Sequence, residues 1–249
     1  MRVAALYDIH GNLPALEQVL AEVRHANVDR VVVGGDVLPG PMPRECLDLV
    51  MSLDVPTDFI IGNGDRETVA ARRGQISSII PEYFRPALKW NAAQLTPADE
   101  KTIDEWPLTR RLAVDDIGEI LFCHATPRND TEVFTSATSE KKLRPIFDPL
   151  NVDLVVCGHV HIQFDRRVGR TRVVNAGSVG MPFQEPGAYW LLIDTRKIEL
   201  RRTPYDLQAA ADRVRQTKYP LAEEMASKNI LASPDMATMI EAFSKAELS

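Results

Sequence analysis

Five histidines stand in this 249-residue chain, and four of them follow short apolar runs. His10 comes after "VAALYDI", His124 after "ILFC", and His159 and His161 after "DLVVCG"; His25 lies inside a helical pattern and reads as a solvated surface residue. A lone histidine at a strand end is more often a satisfied polar group than a ligand. Four in the same local setting need a common cause. If those runs are parallel strands, their carboxyl ends share one edge, which gathers Asp8, His10, Asp36, Asn63, His124, His159 and His161 into one crevice. These seven nitrogen and oxygen donors exceed the roughly four that one tetrahedral zinc takes. They match two ions of higher coordination that share a carboxylate. The set holds no thiolate, so Mn, Fe, Co, Ni or Zn suits it better than Cu(I). Two such divalent ions acidify a bridging water and clamp a phosphoryl group, which is the chemistry of phosphate-ester hydrolysis.

The elements that must position these residues are legible as a pattern. "RVAALY", "RVVVG", "DFIIG", "EILFC" and "DLVVC" are β-branched runs bounded by polar or glycine positions. Between the first two, "NLPALEQVLAEVRHA" carries an N-cap at Asn12, Pro14 in the first turn, and Leu13, Leu16, Leu20 and Val23 at helical spacing. That is a βαβ opening, and its unbroken apolar strands suit a parallel sheet buried on both faces. From residue 163 onward "FDRRV", "TRVVNA", "AYWLLID" and "KIELRRT" follow one another closely, which predicts an antiparallel sheet. Residues 78–106 read as helical, with a capping signal at Thr96–Asp99, and so do residues 206–249, with Ser233-Pro234 opening the last segment. The expected architecture is α/β: two packed mixed sheets flanked by helices, with a domain over residues 1–205 and a helical segment, 206–249, packed on it.

The stretch "FIIGNGDRE", residues 59–67, is ambiguous by itself. Asn-Gly after a β-branched run is a strong hairpin signal. The residues that follow, "RETVAARRG", show no alternation and contain good helix formers, so the second strand is missing. A strand ending in a glycine-lined loop that enters a helix is the alternative, and it places Asn63 where α/β folds hold ligands.

Composition narrows the partners. With 45% apolar and 26% charged residues the chain can bury a full core, and a net charge of −6 argues against a nucleic-acid backbone as the main partner. Cys46, Cys123 and Cys157 form no C-x-x-C pair, and an odd number in a chain this long fits a reducing compartment better than a disulfide framework. No run approaches the 18 or so apolar residues of a membrane span, and "RVAALYD" at the start has no signal-peptide character. The expectation is a cytoplasmic protein acting on a small phosphorylated substrate, with no membrane partner and with self-association open.

The motifs "DIH" 8–10, "GGD" 34–36, "GNGD" 62–65, "CHA" 123–125 and "GHVH" 158–161 resemble, in order, those of the calcineurin-like metallophosphoesterases. "NAGSVGMP" at 175–182 is similar to that family's Gly-Ser turn, so the likeness runs from residue 1 to about 195. The resemblance implies a two-sheet sandwich and a binuclear centre. One ion would take Asp8, His10, Asp36 and His161, and the other Asp36, Asn63, His124 and His159, with Asp36 as the bridge. It further implies attack by a metal-bridging hydroxide, with Asp36, Asn63 and His124 in catalytic roles. Arg66 and Arg128 follow ligand positions and carry the guanidinium that matches phosphate, so with Asn63 they are the expected substrate contacts. Asp65 and Glu67 read as supports for the ligands or for the helix start.

The departure is Gly64, where the family pattern has a histidine proposed to protonate the leaving group or stabilise the transition state. Its loss matches a small bacterial and archaeal phosphodiesterase branch better than the phosphomonoesterases. A histidine restored there is expected to help poor leaving groups. The alternatives are a phosphatase or nucleotide pyrophosphatase of the same family, and a non-catalytic metal-binding or protein-binding scaffold.

Overall fold

A computed structural model describes residues 1–195 and 197–248. In chain order the first half contains β1 (Val3–Leu6), α1 (Leu13–His25), β2 (Arg30–Val33), α2 (Pro43–Met51), β3 (Thr57–Phe59), α3 (Asn63–Arg72), α4 (Arg85–Ala92) and α5 (Pro97–Asp104). It continues with β4 (Thr109–Val114), β5 (Gly118–Cys123), α6 (Glu140–Phe147), β6 (Leu154–Cys157), β7 (Phe164–Val168), β8 (Thr171–Asn175), β9 (Ala188–Asp194) and β10 (Lys197–Thr203). The chain then forms α7 (Leu207–Arg215), α8 (Ala222–Met225), a π-helical turn (Ala226–Ile230) and α9 (Met236–Ser244).

Two five-stranded mixed sheets result, one in the order β10-β9-β1-β2-β3 and the other β4-β5-β6-β8-β7. Within them β1, β2 and β3 run parallel, as do β5, β6 and β8. The four strands after residue 163 do not form a sheet of their own. β7 and β8 pair antiparallel at the edge of the second sheet, while β9 and β10 cross over to complete the first. Close spacing told only that neighbours pair; it could not tell which sheet each pair joins.

Residue alternation assigns the layers. Val3, Ala5 and Tyr7 of the first strand and its extension meet Phe122, Val156 and Leu191 between the sheets, whereas Ala4 and Leu6 face the helices outside. The outer core of the first sheet takes Leu16, Leu20 and Val23 of α1 together with Ala210, Ala211 and Val214 of α7. That of the second sheet takes Leu143, Ile146 and Phe147 of α6. The Tyr7 hydroxyl donates to the Val156 carbonyl at 3.1 Å, tying the two sheets beside the strand ends.

The helix starts follow their caps. Asn12 accepts from the Ala15 amide at 3.3 Å, and Thr96 and Asp99 form a capping box. Residues 78–106 are helical only as α4 and α5, with turns before and between them. α9 is opened by Asp235, whose carboxylate accepts from the Thr238 amide at 2.9 Å, rather than by Ser233-Pro234. β4 has no counterpart among the predicted strands, because "TRRLAV" lies at an edge and keeps its arginines exposed. No helix among the described residues is long and apolar enough to cross a membrane.

Candidate metal centre

The parallel strands deliver their carboxyl ends to one edge, and the seven predicted donors follow β1, β2, β3, β5 and β6 there. Five of them turn the chain in the left-handed region: Asp8 (φ 53°), His10 (46°), Asp36 (54°), His159 (69°) and His161 (56°). Non-glycine residues rarely adopt this conformation, and Asn, Asp and His do so most readily. Each turn reverses the backbone sharply enough to point a short side chain back over the sheet edge. Loop-to-loop hydrogen bonds hold these corners: Asp8 N–H to Gly35 O (3.1 Å), His10 N–H to Asp36 O (3.0 Å), and Gly180 N–H to Asp8 O (3.0 Å). The segment "FIIGNGDRE" is a strand entering a helix, with Gly62 at the N-cap of α3 and Asn63 as its first residue.

Three imidazoles share one orientation. The Nδ1 of His10 faces Pro39 O at 3.3 Å, that of His124 faces Gly34 O at 2.9 Å, and that of His161 faces Met181 O at 2.7 Å. A carbonyl oxygen only accepts, so Nδ1 carries the proton and the Nε2 lone pairs point inward. His10 Nε2 and His161 Nε2 lie 3.1 Å apart, lone pair toward lone pair, an arrangement that a shared cation relieves. Asp8 Oδ1 lies 3.4 Å from His161 Nε2, 3.8 Å from His124 Nε2 and 4.0 Å from His10 Nε2. It is buried with no hydrogen-bond partner among the described residues, which is costly unless a cation takes up its lone pairs. Asp36 reaches both sides, with Oδ2 3.7 Å from His10 Nε2 and Oδ1 3.5 Å from His124 Nε2.

Two groups of donors therefore converge: Asp8 with His10 and His161, and Asp8 with Asp36 and His124. His159 stands outside both groups. Its Nδ1 lies 2.9 Å from the terminal amide of Asn63, whose same atom is 3.1 Å from His124 Nε2. Facing those ring nitrogens and the Asp130 carbonyl, this atom is best satisfied as the amide NH2; turned over, the amide oxygen would offer a cation its lone pairs.

The electrostatics ask for positive charge. Burial, and then the neighbouring Asp8 carboxylate, hold Asp36 well above the usual carboxylate range. Burial pushes His10 down to about 3 and His159 down to about 3, so both rings are neutral and can donate a lone pair at ordinary pH. A buried pair of carboxylates ringed by neutral imidazoles is the donor set of a divalent cation site.

Residues outside the donor set hold it in place. Asp65 accepts from three backbone amides, Asp36 (2.7 Å), Leu38 (3.0 Å) and Gly62 (3.2 Å), and so fixes the second corner against the third. Ser178 donates to Asp8 O at 2.8 Å, and Asn175 Nδ2 donates to Gly158 O at 2.5 Å. Asn175 and Ser178 sit in "NAGSVGMP", which marked the turn without revealing what their side chains grip.

Arg66 is paired with Asp130 through Nε (2.7 Å) and Nη2 (3.0 Å) and with Glu67 through Nη1 (2.8 Å). Arg128 is paired with Glu132. Both guanidinium side chains stay about half exposed, at 45% and 51%.

Gly64 overturns one expectation. A Cβ at this position would lie 2.3 Å from Leu38 O and 3.0 Å from Asp36 Oδ1. The backbone after Asp36 occupies the space that a side chain would need, and the Gly64 amide donates to Asp36 Oδ1 at 2.7 Å. A histidine here cannot simply be restored, because its neighbour is backbone and not a flexible side chain.

Two packed mixed sheets whose strand ends converge on buried carboxylates and imidazoles define a metallophosphoesterase architecture. Residues 1–197 match the calcineurin-like phosphoesterase superfamily domain, and the chain belongs to that superfamily, whose chemistry is metal-dependent hydrolysis of phosphoesters. It is 25% identical over 238 residues to an uncharacterized protein of Methanocaldococcus jannaschii, covering 88% of this chain and 93% of that one. The fold is similar to a metallophosphoesterase from Sphaerobacter thermophilus (TM-score 0.74, 24% identity, 93% of this chain and 98% of that one). It is also similar to a hypothetical protein from Pyrococcus horikoshii (TM-score 0.77, 22% identity, 91% and 96%).

Proposed function

We propose that this chain is a binuclear metal-dependent phosphodiesterase acting on a small phosphorylated substrate. The observation that carries the reading is the common orientation of the His10, His124 and His161 rings around the unpartnered Asp8 Oδ1. Asp8, His10 and His161 would hold one ion and Asn63, His124 and His159 the other, with Asp36, within reach of His10 and of His124, available to both. Divalent ions bound there, Mn, Fe, Co, Ni or Zn, would polarise a phosphoryl group, neutralise its charge and acidify water.

The protein's own residues set the rest. Asp65, Ser178 and Asn175 keep the donors in register, so little reorganisation is needed when substrate binds. Arg66 and Arg128 are the candidate substrate contacts; each keeps N–H groups beyond those that bind carboxylate, and these would orient a phosphate by paired hydrogen bonds. Gly64 supplies no acid, and Leu38 O bars one from its place. Charge then accumulates on the departing oxygen, which favours diesters with good leaving groups over alkyl esters.

The test combines elemental analysis under saturating metal with hydrolysis of aryl phosphodiesters that differ only in leaving-group pKa. Two ions per chain and a rate that falls steeply as the leaving group worsens are expected. A single ion per chain refutes the binuclear centre, and a shallow slope refutes the absence of a general acid.

A further inference from the structure

His161 differs from the other donors in how its ring is held. His124 is fully buried with no exposed side-chain surface, whereas His10 and His161 keep 11% and 8% of theirs open. One hydrogen bond, to Met181 O, fixes its tautomer. One face of its ring meets His10 at 4.9 Å between centroids. The Phe183 ring stacks on it at 4.8 Å and 27°, and the Phe183 amide donates to His161 O at 3.1 Å.

Phe183 is itself backed by the end of the chain. Phe243 of α9 lies 6.0 Å from the Phe183 ring, and α9 has no fully buried residue of its own. Just beyond α9 the chain is latched at two points. The Glu247 carboxylate accepts from Thr138 Oγ1 (2.6 Å) and Lys142 Nζ (2.6 Å), and the Leu248 amide donates to Val133 O at 2.9 Å.

We propose that Phe183 is a positioning residue for His161, and that Phe243 of the C-terminal helix keeps Phe183 in place. The last helix is thereby part of the support of the metal centre. An imidazole pinned by one hydrogen bond can still rock about that bond, and a stacked ring on its face removes this freedom. An imidazole that donates to a cation also becomes electron-poor, and the face of an aromatic ring stabilises such a partner. The inference rests on the assignment of His161 to the ion shared with Asp8 and His10.

The experiment uses the full chain with Phe183→Ala, Phe183→Tyr and Phe243→Ala, and two readings. The first is a cobalt(II) titration followed by visible absorption, which resolves the ions by affinity. The second is proton NMR of the His161 ring in the metal-free protein, where a stacked phenyl ring shifts the imidazole protons upfield. Phe183→Ala should weaken one ion by about 10–100-fold, as loss of a group that orients a ligand does. It should leave the other ion unchanged and abolish the upfield shift. Phe183→Tyr should keep both readings, and Phe243→Ala should lie between. If Phe183→Ala is unstable, Phe183→Leu retains most of the volume without the ring and gives the same comparison.

Equal weakening of both ions, or of neither, overturns the proposal, and so does an unchanged His161 spectrum. If wild type binds one ion only, the binuclear reading fails separately. The role of Phe183 then stands or falls on whether that single ion is weakened.

Discussion

The strand-end corners and the C-terminal segment from Ser233 to Leu248 are opposite solutions to holding a chain in place. Asp8, Asp36, His124 and His161 are almost wholly buried, and their backbone is tied corner to corner by amide–carbonyl bonds. α9 buries no residue fully and is held by Phe243, Glu247 and Leu248. Sites that must keep sub-ångström geometry are built where opening costs nearly the global stability, whereas peripheral elements open locally at much lower cost. The contact between the Phe183 and Phe243 rings crosses that divide.

Three substitutions test the contrast, beginning with the largest effect. Asp36→Asn should abolish turnover, with a loss beyond the roughly 10–100-fold that orienting partners cost, while the fold survives. Asn tolerates the left-handed backbone of this position, and its oxygen can still accept from Gly64. Steady-state kinetics beside a thermal melt provide the check, and near-wild-type activity would remove Asp36 from the centre.

Gly64→Ala is expected to destabilise by about 1–3 kcal/mol, as overpacking does. An unconstrained glycine-to-alanine change inside a helix would instead gain about 0.5–1 kcal/mol. The sign decides the matter: stabilisation in a urea melt would mean that the backbone at Leu38 yields easily and that steric closure does not explain the glycine.

The smallest effect belongs to Met236→Ser on α9, where the side chain is 43% exposed. Its change in stability should stay within about 0.5 kcal/mol. A loss of several times that, measured by the same melt, would show the C-terminal segment to be as tightly integrated as the corners.

Much of this contrast could be read from the residues alone. The βαβ opening, the caps at Asn12 and Thr96 and the convergence of Asp8, His10, Asp36, His124 and His161 follow from period, capping chemistry and the parallel-sheet rule. Each of these is a local or topological regularity. What escaped depends on contacts between distant residues. Nothing in "GNGD" tells that Leu38 O fills the space above Gly64, and nothing in "MPFQ" tells that Phe183 will lie on an imidazole. The edge strand β4 was hidden because exposed arginines replace the apolar alternation that marks a half-buried strand. The allotment of β7 to β10 between two sheets is likewise a choice that local spacing leaves open.

The left-handed turns at five of the donors have a bearing on how such a protein changes over generations. At Asp8, His10, Asp36, His159 and His161 the backbone admits Gly, Asn, Asp and His with least strain and resists β-branched or bulky residues. The substitutions that survive folding there are therefore the very ones that remove or exchange a donor while leaving the chain's path intact. A lineage that loses its chemistry at these corners keeps its shape, and its surfaces remain available for selection to some other purpose.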